Sequence, residues 1–129
     1  MPRTDHLQRV PTLLLERLEH QGIFTTGLFL EVSETPTRRI TLADQIGVSI
    51  NEINDWRDEA LLLNLANFGP AEQRILTQAG IVGLRDLLAC EPPELRDKVT
   101  HAAYTLGVEA PADLTIQGWH DQARTLADD

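Results

Sequence analysis

Trp56 and Trp119 are the only tryptophans in the chain, and each stands in the same local pattern. Ile53, Trp56, Asp58, Ala60 and Leu63 recur as Ile116, Trp119, Asp121, Ala123 and Leu126, at a constant spacing of 63 residues. Five positions in register around a unique tryptophan mark an internal duplication, which restricts the chain to folds that build one small unit twice. Earlier in each half, Gly22-Ile23 recurs as Gly80-Ile81, and Gly47-Val48 as Gly107-Val108. The chain therefore divides at 1–64, a degenerate first helical unit, and 65–129, a second unit with a hairpin-like turn at its start.

The repeated unit reads as helical throughout. No run alternates apolar and polar residues as a half-buried strand would. A first helix is expected over Thr12–His20, stopped by Gly22, and a second from a Thr25 or Thr26 cap to Val32. A third is expected over Thr37–Ile46, stopped by Gly47, and a fourth from Ile50 to about Leu65. Ser49 with Glu52 three residues on makes a capping box for the fourth. Pro70 opens the second set. Gly80 stops its first helix, Glu91-Pro92-Pro93 breaks the next, Leu95–Leu106 ends at Gly107, and Asp113 introduces the last. The expected fold is all-α, with about eight short helices in tandem helix-hairpin-helix-like units forming one compact body. Ile53, Trp56, Ala60 and Leu63 share one helix face, and so do Ile116, Trp119, Ala123 and Leu126, so both tryptophans are expected to be core anchors.

Composition narrows the function classes. Eleven basic residues face 20 acidic ones, a net charge of −9, spread almost evenly over the two halves. Such a surface repels phosphate polyanions unless its cations cluster. Arg38-Arg39 is the only adjacent basic pair and is a candidate partner surface, although arginine on a helix face is commonly just solvated. Cys90 is the single cysteine, which excludes an intrachain disulfide and suits a reducing, cytoplasmic setting. No stretch approaches the length of a membrane span.

The candidate binding element is the turn Asn67-Phe68-Gly69-Pro70, with Arg74 one turn into the following helix. A glycine turn at a helix N-terminus can offer backbone N–H groups and the helix dipole to a phosphate. Here one glycine stands alone and Pro70 has no N–H, so a tight structural connector is the plainer expectation. Reversal into Pro70 predicts a positive φ at Gly69. No catalytic residues and no metal site are expected. His6, His20, His101 and His120 lack ligand spacing, and one cysteine completes no zinc site. Asp58 and Asp121 are expected to face outward, and Cys90 has no basic residue close by in sequence to activate it. No cofactor is called for.

The series Trp56-x-x-x-Ala60-x-x-Leu63, Phe68-Gly69-Pro70, Leu76-x-x-Ala79-Gly80-Ile81, Leu84-x-x-Leu87 and Pro93-x-Leu95, closing on Ile116-x-x-Trp119-x-x-x-Ala123-x-x-Leu126, resembles the bacterial family called domain of unknown function 4332. The resemblance covers residues 50–129 and, more weakly, 10–65. It implies a relative of helix-hairpin-helix and SAM-like helical domains, and no reaction. Helix-hairpin-helix relatives often bind DNA without sequence preference. Charge and residue pattern together favour a non-enzymatic helical interaction module whose partner is another protein. The alternative is weak, sequence-independent nucleic-acid binding through the hairpin near Gly69.

Overall fold

Helix boundaries fall where the chain's punctuation puts them. The computed structural model describes residues 2–128, and its regular structure is a short 3-10 helix, Thr4–His6, and eight α-helices. The first four are α1 (Thr12–His20), α2 (Thr26–Val32), α3 (Pro36–Ile46) and α4 (Ile50–Leu63). The second four are α5 (Pro70–Gln78), α6 (Leu84–Leu88), α7 (Pro92–Leu106) and α8 (Asp113–Asp128). Among the described residues there is no β-strand; Arg3 and Thr25 form one isolated antiparallel bridge. The glycines expected to stop helices, Gly22, Gly47, Gly80 and Gly107, take φ of 78°, 76°, 82° and 69°, a conformation glycine adopts without steric cost. Ser49 and Glu52 form the reciprocal capping box at the start of α4.

Three boundaries differ from expectation. The third and seventh helices begin earlier, at Pro36 and Pro92, because proline fits the first helical turn, where its missing N–H would have no partner anyway. The fourth ends at Leu63, and Leu65 is buried in the second unit rather than extending the helix.

The chain divides into two compact units, Met1–Asn64 and Leu65–Asp129, each with four helices. In the first, α4 packs on α2 and α3, and α3 also packs on α1. In the second, α8 packs on α6 and α7, and α7 packs on α5. The pairs α2–α4, α3–α4 and α1–α3 recur as α6–α8, α7–α8 and α5–α7, so the duplication extends from sequence to packing, while α2 packs on α3 to a comparable extent in the first unit alone.

The last helix of each unit supplies its central plug. Trp56 is 3% exposed and Trp119 is 0% exposed. Phe29 lies 6.5 Å from Trp56, and Phe68 meets Trp119 edge-on at 5.3 Å, a favoured arrangement for aromatic rings. Trp119 Nε1–H donates to the Ala66 carbonyl at 3.1 Å. Ile53, Ala60, Leu63, Ile116 and Ala123 are buried as the face pattern requires; Leu126 is the departure, at 40% exposed.

Neighbours of each tryptophan tie down the rest of the unit. Arg57 donates to the Leu30 carbonyl at 3.0 Å and to Ser33 Oγ at 2.7 Å, holding the end of α2. His120, in the equivalent place, bonds the Cys90 carbonyl at 3.0 Å just beyond α6. Three residues after each tryptophan, Glu59 accepts the N–H groups of Gln8 and Arg9 at 2.7 and 3.0 Å, and Gln122 accepts that of Ala66 at 2.9 Å. Both secure the segment that leads into the unit's first helix.

Replacing either tryptophan with alanine opens a cavity in a packed core. Trp56→Ala and Trp119→Ala should each cost about 3–5 kcal/mol of stability in their own unit, measured by denaturant unfolding. A loss under about 1 kcal/mol for either would contradict its place as the plug.

Candidate functional site

The hairpin takes its shape from Asn67, not Gly69. Gly69 has φ −134° and ψ −169°, ordinary extended backbone, so the positive φ expected there is absent. The positive φ falls on Asn67, at 60°. Asparagine tolerates the left-handed region better than other residues with a Cβ, because its short amide can bond locally. The reversal is complete two residues before the glycine, and Gly69 serves as the N-cap of α5.

Gly69 N–H is also engaged. Glu72 Oε1 accepts it at 3.0 Å, so a carboxylate sits on the donor that a phosphate would need. Pro70 offers no N–H of its own. Arg74 lies exposed one turn along and lines a groove of about 440 Å³ with Asn67, Ile75, Val108, Glu109 and Thr115. Glu72 shares that lining. Two carboxylates against one guanidinium give the groove a mixed, net acidic rim, a poor field for a polyanion.

Arg38 and Arg39 are committed within the first unit. Arg38 Nη1 donates to the Glu31 carbonyl at 3.1 Å and pairs with Glu34 at 3.8 Å. Arg39 donates to the carbonyls of Ser33 at 2.8 Å and Glu34 at 3.1 Å. They close the carbonyl end of α2, where a cation also complements the helix dipole. Arg57 joins them there; burial pulls its guanidinium below the usual arginine range, and the nearby charge of Arg39 adds to the shift. Arg17 reaches the Ile46 carbonyl at 2.7 Å at the end of α3, and Arg3 pairs with Asp5 at 3.8 Å. All six arginines of the first unit thus have partners inside it.

Two expectations about titratable groups are corrected. Asp58 does not face outward: it is 7% exposed and pairs with Arg9 at 3.0 Å. Arg9 comes from the segment before α1, far away in sequence, so periodicity within one helix could not reveal the pair. Cys90 does have a basic neighbour, since Lys98 Nζ lies 3.7 Å from its Sγ, brought there by the turn from α6 into α7. Lys98 itself is held charged above its usual range, chiefly by Glu94. Asp121, by contrast, is exposed and bonds Arg124 at 3.2 Å, as expected. Among the described residues, no three His, Cys, Asp or Glu side chains come together to hold a metal, and no helix is long and apolar enough to cross a membrane.

Glu59 is the important residue that sequence reasoning passed over. It is fully buried, and burial pushes its carboxyl above the usual glutamate range; the N–H groups of Arg9 and Gln8 and the charge of Arg9 oppose the shift. A usable signal existed: Glu59 stands three residues after Trp56, on the inward stripe, where a carboxylate needs a reason.

On the surface, the first unit shows its apolar side at α2. Phe24, Leu28 and Val32 are 44%, 41% and 36% exposed. Leu28 and Val32 are one turn apart on the same helix face, and Phe24 stands just before the N-cap, Thr25.

Two measurements follow. Gly69→Ala should cost less than about 1 kcal/mol, since any residue adopts that backbone and the new Cβ would meet only the mobile end of Glu72 at 3.3 Å. Asn67→Val should cost about 1–2 kcal/mol, because a β-branched residue resists positive φ. The reverse order in thermal unfolding would return the turn to Gly69. For Glu59, the folded carboxyl binds its proton more tightly than the unfolded one. Its contribution to stability is therefore greatest below the unfolded value and declines as pH rises through the folded one. Glu59→Gln should flatten stability between about pH 4.5 and neutrality relative to the parent. Identical slopes would show that the carboxyl is not desolvated.

No curated protein and no solved structure matches this chain. A family model does, over residues 12–126, which takes in all eight helices but the last two residues of α8. Both halves of the duplication lie inside that match, and the chain belongs to the family described as domain of unknown function (DUF4332).

Proposed function

We propose that this chain is a non-enzymatic helical interaction module that binds another protein, acting in the cytoplasm. The observation that carries this reading is the exposed apolar surface of Phe24, Leu28 and Val32 on the first unit. Apolar side chains held on a helix face gain free energy when a partner covers them, at roughly 25 cal/mol per Å². The second unit does not present the same surface, so the feature distinguishes two copies of one fold.

Nucleic-acid binding through a helix-hairpin-helix turn is the weaker reading. Its N–H donor at Gly69 is held by Glu72, Pro70 has none, and the arginines of the first unit close helix ends or pair with acids. Non-specific DNA binders depend on cations available for phosphate neutralisation, and their affinity falls steeply with salt.

Two experiments test the proposal. Titration with labelled duplex DNA near 0.15 M salt should give no binding at micromolar concentrations or tighter. A photo-crosslinking amino acid at position 28 should capture a protein in the native cytoplasmic extract, and the same group at the exposed position 114 of the second unit should not. Micromolar DNA binding, or no adduct from position 28, would overturn the reading.

A further inference from the structure

We propose that the groove at the end of α7 binds an arginine with a free carboxylate, either the amino acid itself or the last residue of a peptide. The site lies wholly in the second unit and does not rest on the protein-binding reading above. The sister unit shows what such a place can hold. Five residues before the glycine that stops its first helix, the first unit carries Arg17, and the second carries Ile75. Arg17 Nη1 donates to the Ile46 carbonyl at 2.7 Å, at the end of α3. The guanidinium also lies over the glycine that follows, since a Cβ on Gly47 would meet Arg17 Nη1 at 3.0 Å. A cation at the last carbonyls complements the negative end of a helix.

The second unit keeps the carbonyl and lacks the arginine. Leu106 takes the place of Ile46, directly before Gly107, and among the described residues nothing donates to its carbonyl. A Cβ on Gly107 would meet nothing within 4 Å. Where Arg17 lies in the first unit, the second has the groove of about 440 Å³, lined by Ile75 and Leu106 among others. The connection to the last helix is longer as well. Gly47 precedes Trp56 by nine residues, and Gly107 precedes Trp119 by twelve. The longer connection brings Glu109 and Pro111 to the groove wall.

Charge completes the ligand. Glu109 is exposed, and among the described residues its side chain has no ion pair or hydrogen bond. A guanidinium, with five N–H donors in a planar fork, can serve a helix-end carbonyl and a carboxylate together. Ile75, Val108 and Pro111 offer apolar surface along which its aliphatic stem can lie. Arg74, on the same lining, is exposed and also without an ion pair or hydrogen bond among the described residues. It repels a simple cation and suits a carboxylate, which it can hold with two parallel N–H donors. A ligand with a guanidinium at one end and a carboxylate at the other meets both signs of this rim. A bare amine or a polyanion meets only one. Few convergent polar groups over an apolar floor are the usual make-up of a small-ligand site.

The probe is L-arginine, titrated by calorimetry at about 0.15 M salt, with the site read from amide chemical shifts in NMR spectra. Arginine is expected to bind with a dissociation constant of about 10–500 μM and to shift the amides of Gly107, Val108 and Glu109. Citrulline keeps the shape without the charge and should bind roughly tenfold more weakly; agmatine lacks the carboxylate and should bind about fivefold more weakly. Glu109→Gln should weaken arginine binding roughly tenfold and leave the melting temperature unchanged, because the side chain is exposed and unpaired. Arg74→Gln should lower arginine to the affinity of agmatine and leave agmatine itself unchanged. Asp121→Asn removes an exposed acid outside the groove and should change binding less than about twofold. Nα-acetylarginine separates the two sources. Affinity equal to that of arginine assigns the site to a chain end, and loss of binding assigns it to the free amino acid. No binding at millimolar arginine, shifts confined to other parts of the chain, citrulline or agmatine equal to arginine, or unchanged affinity in Glu109→Gln would overturn the proposal.

Discussion

Each unit depends on its last helix, and within that helix on four consecutive residues beginning at the tryptophan. Trp56 and Trp119 fill the centre, and burial of so large a ring is the main apolar contribution a small aliphatic core can obtain from one residue. The next residue, Arg57 or His120, bonds a carbonyl near the end of the second helix. The third after the tryptophan, Glu59 or Gln122, bonds the N–H groups of the segment entering the first helix. One turn of helix thus fixes the plug, the exit of one element and the entry of another. Selection on any of the three would preserve the spacing that makes the duplication visible.

The two copies perform these tasks with different chemistry. Glu59 holds two N–H groups with a charge that burial opposes, whereas Gln122 holds one with a neutral amide. Arg57 reaches a carbonyl and a hydroxyl, whereas His120 reaches one carbonyl and leaves Nδ1 buried without a partner. The first unit is therefore the more ionic inside: Glu59, Asp58, Arg9 and Arg57 all lie wholly or partly within it. Truncating one member of such a set leaves its partner desolvated and unpaired, which costs more than losing a surface charge pair. The arginines of the first unit are engaged in the same manner, at helix-end carbonyls or at carboxylates of their own unit.

Much of the fold was legible because it depends on local steric rules. Gly22, Gly47, Gly80 and Gly107 stop helices through their own φ, and Ser49 with Glu52 caps one within four residues. The tryptophan stripe was legible because α-helical periodicity decides which face is buried. The misreadings concern partners distant in sequence. Asp58 faces inward because Arg9 arrives from the other end of the unit, and Cys90 gains Lys98 only once α7 has turned back. Within the turn Asn67–Pro70 the positive φ was placed two residues late because glycine is its usual bearer, and here an asparagine bears it. For the pair Arg38-Arg39, sequence shows the charge and does not show the helix-end carbonyls that the two side chains bond.

The exchange of caps between α2 and α6 decides what each unit shows at one surface position. A helix start must satisfy its first N–H groups, and a unit can do so from the N-cap side chain or from the third helical residue. Use of the third residue, as Asp86 is used, commits that position to a carboxylate that bends back on the chain. Use of the N-cap, as Thr25 is used, frees it to carry any side chain outward. After duplication, the choice of cap in one copy becomes a choice of surface at no cost to the helix. The first unit caps with threonine and shows leucine, while the second has glycine at the N-cap and caps with its acid.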